Sequence, residues 1–335
     1  MATIHDVAER AGVSPTTVSR YLNRRIELPS GTAGRIDAAI AALDYRPNRL
    51  AQRLSTGRTE AVGLVVPEIR EPFFAELAGW FADEAEQHGY SVLIIPTRSD
   101  RAREIRALEG LDDRQVDGLL LMTNTPDDGT LARLIAGRRD VVILDEDVPG
   151  VAVPRLFVEN TEGSYAATRH LIAAGHRDIA YIAGPTGLLT VSERRRGFER
   201  AMAEAGIPVR PELVAAGSFA SENARLAVHG FFALPSPPTA IFASSDFIAM
   251  GTVTAIRELG LVLPRDISMV GFDDMPFGVL LTPPLTAVRQ PVEMLGRLGF
   301  RTLLALLRGE AVPQVTRLPV QLMLRQSVGA PPPNP

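Results

Sequence analysis

Between Thr3 and Arg20 the apolar residues fall at helical spacing, with Ile4, Val7, Ala8 and Ala11 on one stripe and Gly12 breaking it. After the break Ser14 stands at a capping position, Val13 and Val18 remain for a core, and Thr16, Thr17, Ser19 and Arg20 take the polar side. The pattern predicts two short helices joined by a tight glycine turn, a helix-turn-helix whose second helix fits the DNA major groove. Short hydroxyls bond phosphates or bases, and an arginine can grip guanine through two donors. A third helix is predicted over about Gly31 to Leu43, with Ile36, Ala39, Ile40 and Leu43 in phase. Gly31 and Gly34 weaken it by about 1 kcal/mol each relative to alanine. Pro47 then turns Arg46 away from helical geometry. The helical pattern from Asn48 to Ser55 ends at Thr56-Gly57 and is too short to stand alone in water. A basic, marginal helix at a domain junction is expected to order on binding.

From Glu60 onward the pattern changes to apolar runs alternating with amphipathic stretches. Strands are predicted at 61–67, 91–96, 117–122 and 141–146, with helices at about 72–89, 102–111 and 129–137. A proline-flanked break at Val151 to Pro154 precedes a second set. Its strands are predicted at 155–160, 179–184, 212–217, 239–244 and 267–273, and its helices at 162–174, 192–205, 221–233 and 246–259. Such alternation means parallel, doubly wound sheets. The predicted fold class is an all-α helix-turn-helix head on an α/β body of two Rossmann-like lobes, with a ligand cleft between them.

Composition narrows the function. The chain has 335 residues and no cysteine, so thiolate metal sites and disulfides are out. All 35 basic residues are arginine, which excludes a Schiff-base or P-loop lysine. Residues 1–58 hold nine arginines against five carboxylates, a balance of +4; the whole chain is −4, so residues 59–335 carry −8. A basic head on an acidic body fits a nucleic-acid module joined to a domain of different purpose. No secretory segment or long apolar run is found, and the chain is expected to be soluble and cytoplasmic, without membrane contact.

These residues together resemble the lactose-repressor family of bacterial transcription regulators. The blocks that carry the resemblance are DVAERAGVSPTTVSR (6–20), YRPNRLAQRLSTG (45–57), VGLVVPEIREPFF (62–74), VDGLLL (116–121), HLIAAGHRDIAYIAGP (170–185), SERRRGF (192–198), SDFIAMG (245–251), DISMVGFDD (266–274) and PPLTAVRQP (283–291). The resemblance implies a head at 1–46, a hinge helix and linker at 47–58, an N-terminal lobe at 59–158 and 288–317, and a C-terminal lobe at 159–287 and 318–330. It makes both lobes of periplasmic-binding-protein type. It places Pro15, Thr16 and Arg20 at base-reading positions, Thr17 and Asn23 at phosphates, and Leu54 as an apolar wedge in the minor groove. Thr3, Ser14, Asn48, Arg49 and Ala51 complete the expected DNA-binding set. The family usually carries a larger or more polar residue than Pro15, so operator preference does not transfer. Pro29 stands where a capping serine or threonine is usual, leaving Ser30 as the alternative cap.

For the cleft, the resemblance points Arg194 at the ligand, with a fork suited to vicinal hydroxyls or a carboxylate. Asp273 and Asp145 end strands, where ligands of parallel sheets bind; Glu146 and Asp147 leave open which acid of that group faces the cleft. Phe73 or Phe74 is expected against an apolar sugar face, Phe219 opposite, Gln290 on a crossover between lobes, and Ser245 where the family has asparagine. Glu159 replaces a usual aspartate. Asp246 and Asp274 read as caps or inter-element bonds. The set favours a monosaccharide or sugar derivative, while a purine or nucleoside co-repressor also uses an arginine, an acid and stacking.

The expected function is therefore a palindrome-binding repressor, a homodimer on double-stranded operator DNA, switched by a small effector. The tail VGAPPPNP has no apolar heptads, so no C-terminal coiled coil is expected. A sugar-binding transport receptor shares the body fold but carries an export signal where this chain has a head. An enzyme is not expected: no G-x-G-x-x-G follows a strand and the five histidines are scattered, with His176 read as fixing a loop. No cofactor and no metal are expected. The effector's identity, its sense of action and the regulated genes are not encoded legibly.

Overall fold

The structure is a computed structural model that describes residues 2–22, 26–45 and 59–332. The chain divides after Thr59 into two compact units. Asn23, Asn48, Arg49, Ala51 and Leu54, and with them the predicted hinge, lie outside the described residues.

The first unit holds three helices, α1 (Ile4–Ala11), α2 (Pro15–Leu22) and α3 (Ser30–Ala42). Thr3 and Asp6 form a reciprocal capping box: the Asp6 amide donates to the Thr3 hydroxyl at 3.4 Å and the Asp6 carboxylate accepts from the Thr3 amide at 2.7 Å. Gly12 ends α1 in the left-handed region (φ 66°), a conformation that costs glycine little and lets α2 start three residues later. Ser14 caps α2 as predicted, accepting from the Thr17 amide at 3.1 Å. Val7, Ala8, Ala11, Val18, Ile36 and Ala39 close the small core. Tyr21 donates to Asp37 (2.9 Å) and Arg35 to the Ala11 carbonyl (3.1 Å), fastening α3 to both earlier helices. One expectation fails here. Ser30 is the first residue of α3, not its cap, and no side chain caps that end; Pro29 takes the cap position and its carbonyl starts the helix.

The second unit contains two six-stranded sheets. The first has order β11-β5-β4-β3-β1-β2, from β1 (Ala61–Val66), β2 (Ser91–Pro96), β3 (Gly118–Leu121), β4 (Val141–Leu144), β5 (Arg155–Val158) and β11 (Val315–Leu318), all parallel. Helices α4 (Pro72–Gln87), α5 (Arg101–Asp112), α6 (Thr130–Ile135) and α11 (Val292–Leu307) cover it. The second has order β12-β10-β9-β8-β6-β7, from β6 (Ile179–Ala183), β7 (Val214–Ala216), β8 (Ala240–Ala243), β9 (Ser268–Asp273), β10 (Thr286–Arg289) and β12 (Gln321–Met323). Only β12 runs antiparallel in it. Its helices are α7 (Asn160–Ala173), α8 (Leu189–Glu204), α9 (Ser221–Phe232) and α10 (Asp246–Glu258). The inner strands β3, β4, β6, β8 and β9 are wholly buried, which is why they read as unbroken apolar runs. Each sheet is packed on both faces by its own apolar clusters.

The chain crosses between lobes three times: after β5, after β10 and after β11. Because β10 pairs with β9 through Arg289, the second crossing falls at Gln290-Pro291 and not at the 287/288 boundary read from the sequence. Likewise β11 keeps Leu318 in the first lobe, one residue beyond the 317/318 boundary.

Candidate functional site

In both sheets the strand order reverses at the first strand, β1 or β6, and loops at the carboxyl ends of the strands converge on the crevice between lobes. Lining it are Glu71, Phe73, Phe74, Asn124 and Asp145 from the first lobe, and Thr190, Arg194, Phe219, Ser245 and Asp273 from the second, with Gln290 on the crossover. All eight cleft residues expected from the sequence are thus brought together. Glu71, Asn124 and Thr190 were not anticipated.

Arg194 is buried on α8. Its Nε donates to Asn160 (2.8 Å), its Nη1 donates to the Ser244 carbonyl (2.6 Å) and lies 3.5 Å from Asp273, and its guanidinium stacks 3.8 Å over Phe272. Nη2 has no hydrogen bond among the described residues. The neighbours in the arginine run behave differently. Arg195 and Arg196 are solvated and pair with Glu199 and Glu193. Only the residue fixed by its spacing to Gly197 turns inward. A Cβ on Gly197 would lie 2.2 Å from the Thr161 carbonyl, so glycine lets α8 press onto α7 and brings Arg194 to the cleft.

Asp273 ends β9 with φ 97° and accepts from Gln290 Nε2 at 2.7 Å and from the Asp246 amide at 3.2 Å. Gln290 is 3% exposed and its Oε1 has no partner. Asp246 accepts from the Met275 amide, and Asp274 is clamped by Arg289 (2.8 Å) and Arg325 (2.9 Å), so both serve the inter-element bonds expected of them. Ser245 uses its hydroxyl to cap α10, accepting from the Ile248 amide. Phe73 and Phe74 pack edge to face at 5.4 Å, and both belong to the first-lobe core while lining the cleft. Phe219 is half-buried and lies flush on Gly184, where a Cβ would come within 2.4 Å of its ring.

The open question of the three acids after β4 resolves cleanly. Asp145, at φ 71°, turns the chain so that its carboxyl lines the cleft. Asp147 faces Arg155 at 3.3 Å. Glu146 crosses to the other lobe and accepts from the amides of Leu189 (2.6 Å) and Thr190 (3.2 Å) and from the Thr190 hydroxyl (2.9 Å). Helix α8 has no side-chain cap of its own, so its cap is supplied from the opposite lobe.

Burial and the neighbouring Asp273 raise Glu71 to about 7, with Glu68 and Asp145 adding to the effect. Burial raises Asp145 to about 7 as well, opposed by Arg194 and reinforced by Glu146 and Asp273. The crevice encloses about 30 Å³, room for about two waters. A larger concavity of about 840 Å³ lies elsewhere, between α4, α11 and the turn at Pro276. Its walls are mainly apolar, its arginines pair with Asp274 and Glu84, and it shares Gln290 with the cleft.

In the first unit Thr16 and Arg20 are exposed one turn apart on α2, and Pro15 opens that helix half-buried. The hydroxyls of Thr3, Ser14 and Thr17 are engaged in the two caps, while among the described residues no side-chain hydrogen bond or ion pair engages Thr16 or Arg20. Among the described residues no cluster of metal-binding side chains occurs, and no helix is long and apolar enough to cross a membrane. His176 bonds Thr239 (2.9 Å) and the Gly329 carbonyl (3.0 Å), tying down its loop as read.

Residues 59–326 match the family of periplasmic binding proteins and the sugar-binding domain of the LacI family, and residues 3–48 match the lacI family of bacterial regulatory proteins. The chain is 35% identical to the HTH-type transcriptional repressor PurR of Serratia proteamaculans (strain 568), over 98% of this chain and 97% of that protein. It superposes on the lac repressor dimer bound to operator and the anti-inducer ONPF with a TM-score of 0.87 at 28% identity, covering 98% and 99% of the two chains. A transcriptional regulator CelR–cellobiose complex matches at a TM-score of 0.73 and 31% identity, over 98% and 100% of the two chains. By family this is a cytoplasmic, non-enzymatic regulator with an effector-binding domain, from a group whose members bind operator DNA as dimers. The chain belongs to the LacI family of DNA-binding transcriptional repressors.

Proposed function

We propose that this repressor binds a palindromic operator as a homodimer and is controlled by a monosaccharide or sugar derivative held between its lobes. The observation that carries the sugar reading is the set of carboxylate acceptors that line the cleft. Asp273 ends a strand at the crevice, Asp145 faces it from the other lobe, and Arg194 keeps one nitrogen free. Carboxylates accept from pairs of hydroxyls, and Phe73, Phe74 and Phe219 offer apolar surface to a ring. Among similar solved proteins, one is a complex with cellobiose and another is a putative ribose operon repressor from Burkholderia thailandensis.

A second reading has its own support. The PurR relatives are 35% identical over nearly the whole chain, which favours a purine-responsive co-repressed regulator. In either case effector binding alters operator affinity only through different affinities for the two states of the protein. The proposed DNA contacts are Thr16 and Arg20 at bases, with Pro15, Thr17 and Asn23 beside them. Thr3, Ser14, Asn48, Arg49 and Ala51 flank these, and Leu54 acts as the minor-groove wedge.

The test is a thermal-shift screen of monosaccharides, polyols and purines, followed by operator titration with each hit. A sugar that raises the melting temperature and changes operator affinity is the expected result. A purine hit establishes the second reading. A sugar that stabilises the body but leaves operator affinity untouched removes the switch.

A further inference from the structure

The cleft is dominated by acceptors. Glu71 occupies the N-terminal boundary of α4, yet its carboxyl does not cap that helix. Neither that carboxyl nor the carboxyl of Asp145 has a hydrogen-bond partner among the described residues. Gln290 Oε1 is a third free acceptor, fully buried in the same crevice because its amide nitrogen is committed to Asp273. Against these stand the Asn124 side-chain amide and one guanidinium, the latter already shared by Asn160, the Ser244 carbonyl and Asp273. Thr190 and Ser245 spend their hydroxyls on Glu146 and on the α10 cap.

We propose that the cleft selects an unphosphorylated, donor-rich polyol, neutral or bearing an amino group, and that Glu71 is the residue that turns anionic sugars away. This rests on the sugar reading above and narrows it to a charge class. A phosphate or carboxylate entering the crevice meets Glu71, Asp145 and Asp273 at low dielectric, with Arg194 the cation that lines it among the described residues. Like charges so placed repel strongly. Hydroxyls or an ammonium group meet acceptors that lack partners, and leaving those unmet on ligand exclusion is what costs affinity for the wrong class. A purine base, with nearly as many acceptors as donors, also satisfies this wall poorly. Burial above all raises Glu71 and Asp145 to about 7, with Asp273 adding to both and Arg194 opposing it at Asp145, so above that pH the two carboxyls carry negative charge.

The experiment titrates the full-length protein at pH 8 with aldoses, each paired with its phosphate ester, together with glucosamine and hypoxanthine. Wild type and Glu71→Gln are compared by thermal shift and calorimetry, and both melting curves are repeated without ligand from pH 5 to pH 8. Neutral or amino sugars should bind the wild type and their phosphates should not. Glu71→Gln should raise affinity for the phosphate by about tenfold relative to its neutral parent. Without ligand, the advantage of Glu71→Gln over wild type should grow as pH rises through about 7. A phosphate ester that binds wild type as well as its parent sugar overturns the inference and leaves the sugar switch standing. Hypoxanthine binding in place of sugars overturns both. If no compound binds, the sugar reading fails, and parallel pH profiles for the two proteins then overturn the acidic wall as well.

Discussion

The carboxylate of Glu146, on the first lobe, accepts three hydrogen bonds at the start of α8 on the second lobe, two of them from Thr190. The same helix carries Arg194 one turn further on, so the contact between the lobes and the placement of the cleft-lining arginine share one helix. Replacing Glu146 by alanine strips the cap and should destabilise the closed body by about 1–2 kcal/mol. The lobes should spend more time apart. Because the chain has no cysteine, Asp113→Cys and Ala203→Cys can be introduced and labelled alone. The distance between those labels should lengthen in Glu146→Ala and, to a smaller degree, in Thr190→Val. An unchanged distance in both would remove the latch.

Asp145 gives stability a particular pH dependence. Its folded value, about 7, lies above the ordinary 3.8, so the folded body holds a proton that the unfolded chain has already released. The associated stability is complete below about 3.8 and is lost as pH rises through about 7. Melting temperature should therefore fall between pH 5 and pH 8, and Asp145→Asn should flatten that fall by roughly 3 °C. A steeper fall in the variant would put the proton elsewhere.

On the DNA side, Arg20 is exposed on α2 with no ion pair among the described residues, free to meet a base edge. Arg20→Ala should cost about 1–3 kcal/mol on the specific operator and relax its sequence preference. Leu54→Ala should weaken operator binding far more than non-specific binding, since wedging acts only where a base step opens. Anisotropy titrations against operator and scrambled duplexes at fixed salt separate the two effects. Equal losses on both duplexes would argue against base reading.

Gly197 sets the spacing of α7 and α8. With the Thr161 carbonyl 2.2 Å from any added Cβ, Gly197→Ala must push the helices apart and carry Arg194 with them. A loss of about 1–3 kcal/mol in denaturant unfolding is expected, with weaker effector binding beyond what stability explains. A neutral result would mean the contact yields more easily than its geometry implies.

The lobes were legible because their inner strands are buried on both faces and read as plain apolar runs. Helix α11 has an equally clear stripe in Leu295, Phe300, Leu303 and Leu304, yet no element after Asp273 was assigned, since short β10, β11 and β12 offer little periodicity around it. Of the residues lining the cleft, Asp273 and Asp145 stand at strand ends that the apolar pattern marks, and Arg194 was indicated by the family resemblance through its spacing to Gly197. Glu71 and Glu146 carry no such mark. Their roles come from partners on the other lobe: Asp273 lies about 200 residues from Glu71 and Thr190 lies 44 from Glu146, and no local pattern encodes such pairs. The failed Ser30 cap is a different error, in which proline's fixed φ let Pro29 take the cap position first.

Asp273 and Asp274 are consecutive, both at positive φ (97° and 60°), and they face opposite ways. The first reaches into the crevice, while the second is gripped by Arg289 on β10 and by Arg325 beyond β12. Aspartate accepts this backbone shape more readily than most side chains, though at some cost. One carboxylate of the effector wall is thus bolted to the sheet through its neighbour. On the proposed reading, an effector would meet a carboxylate whose position is set by the sheet and not by its own loop.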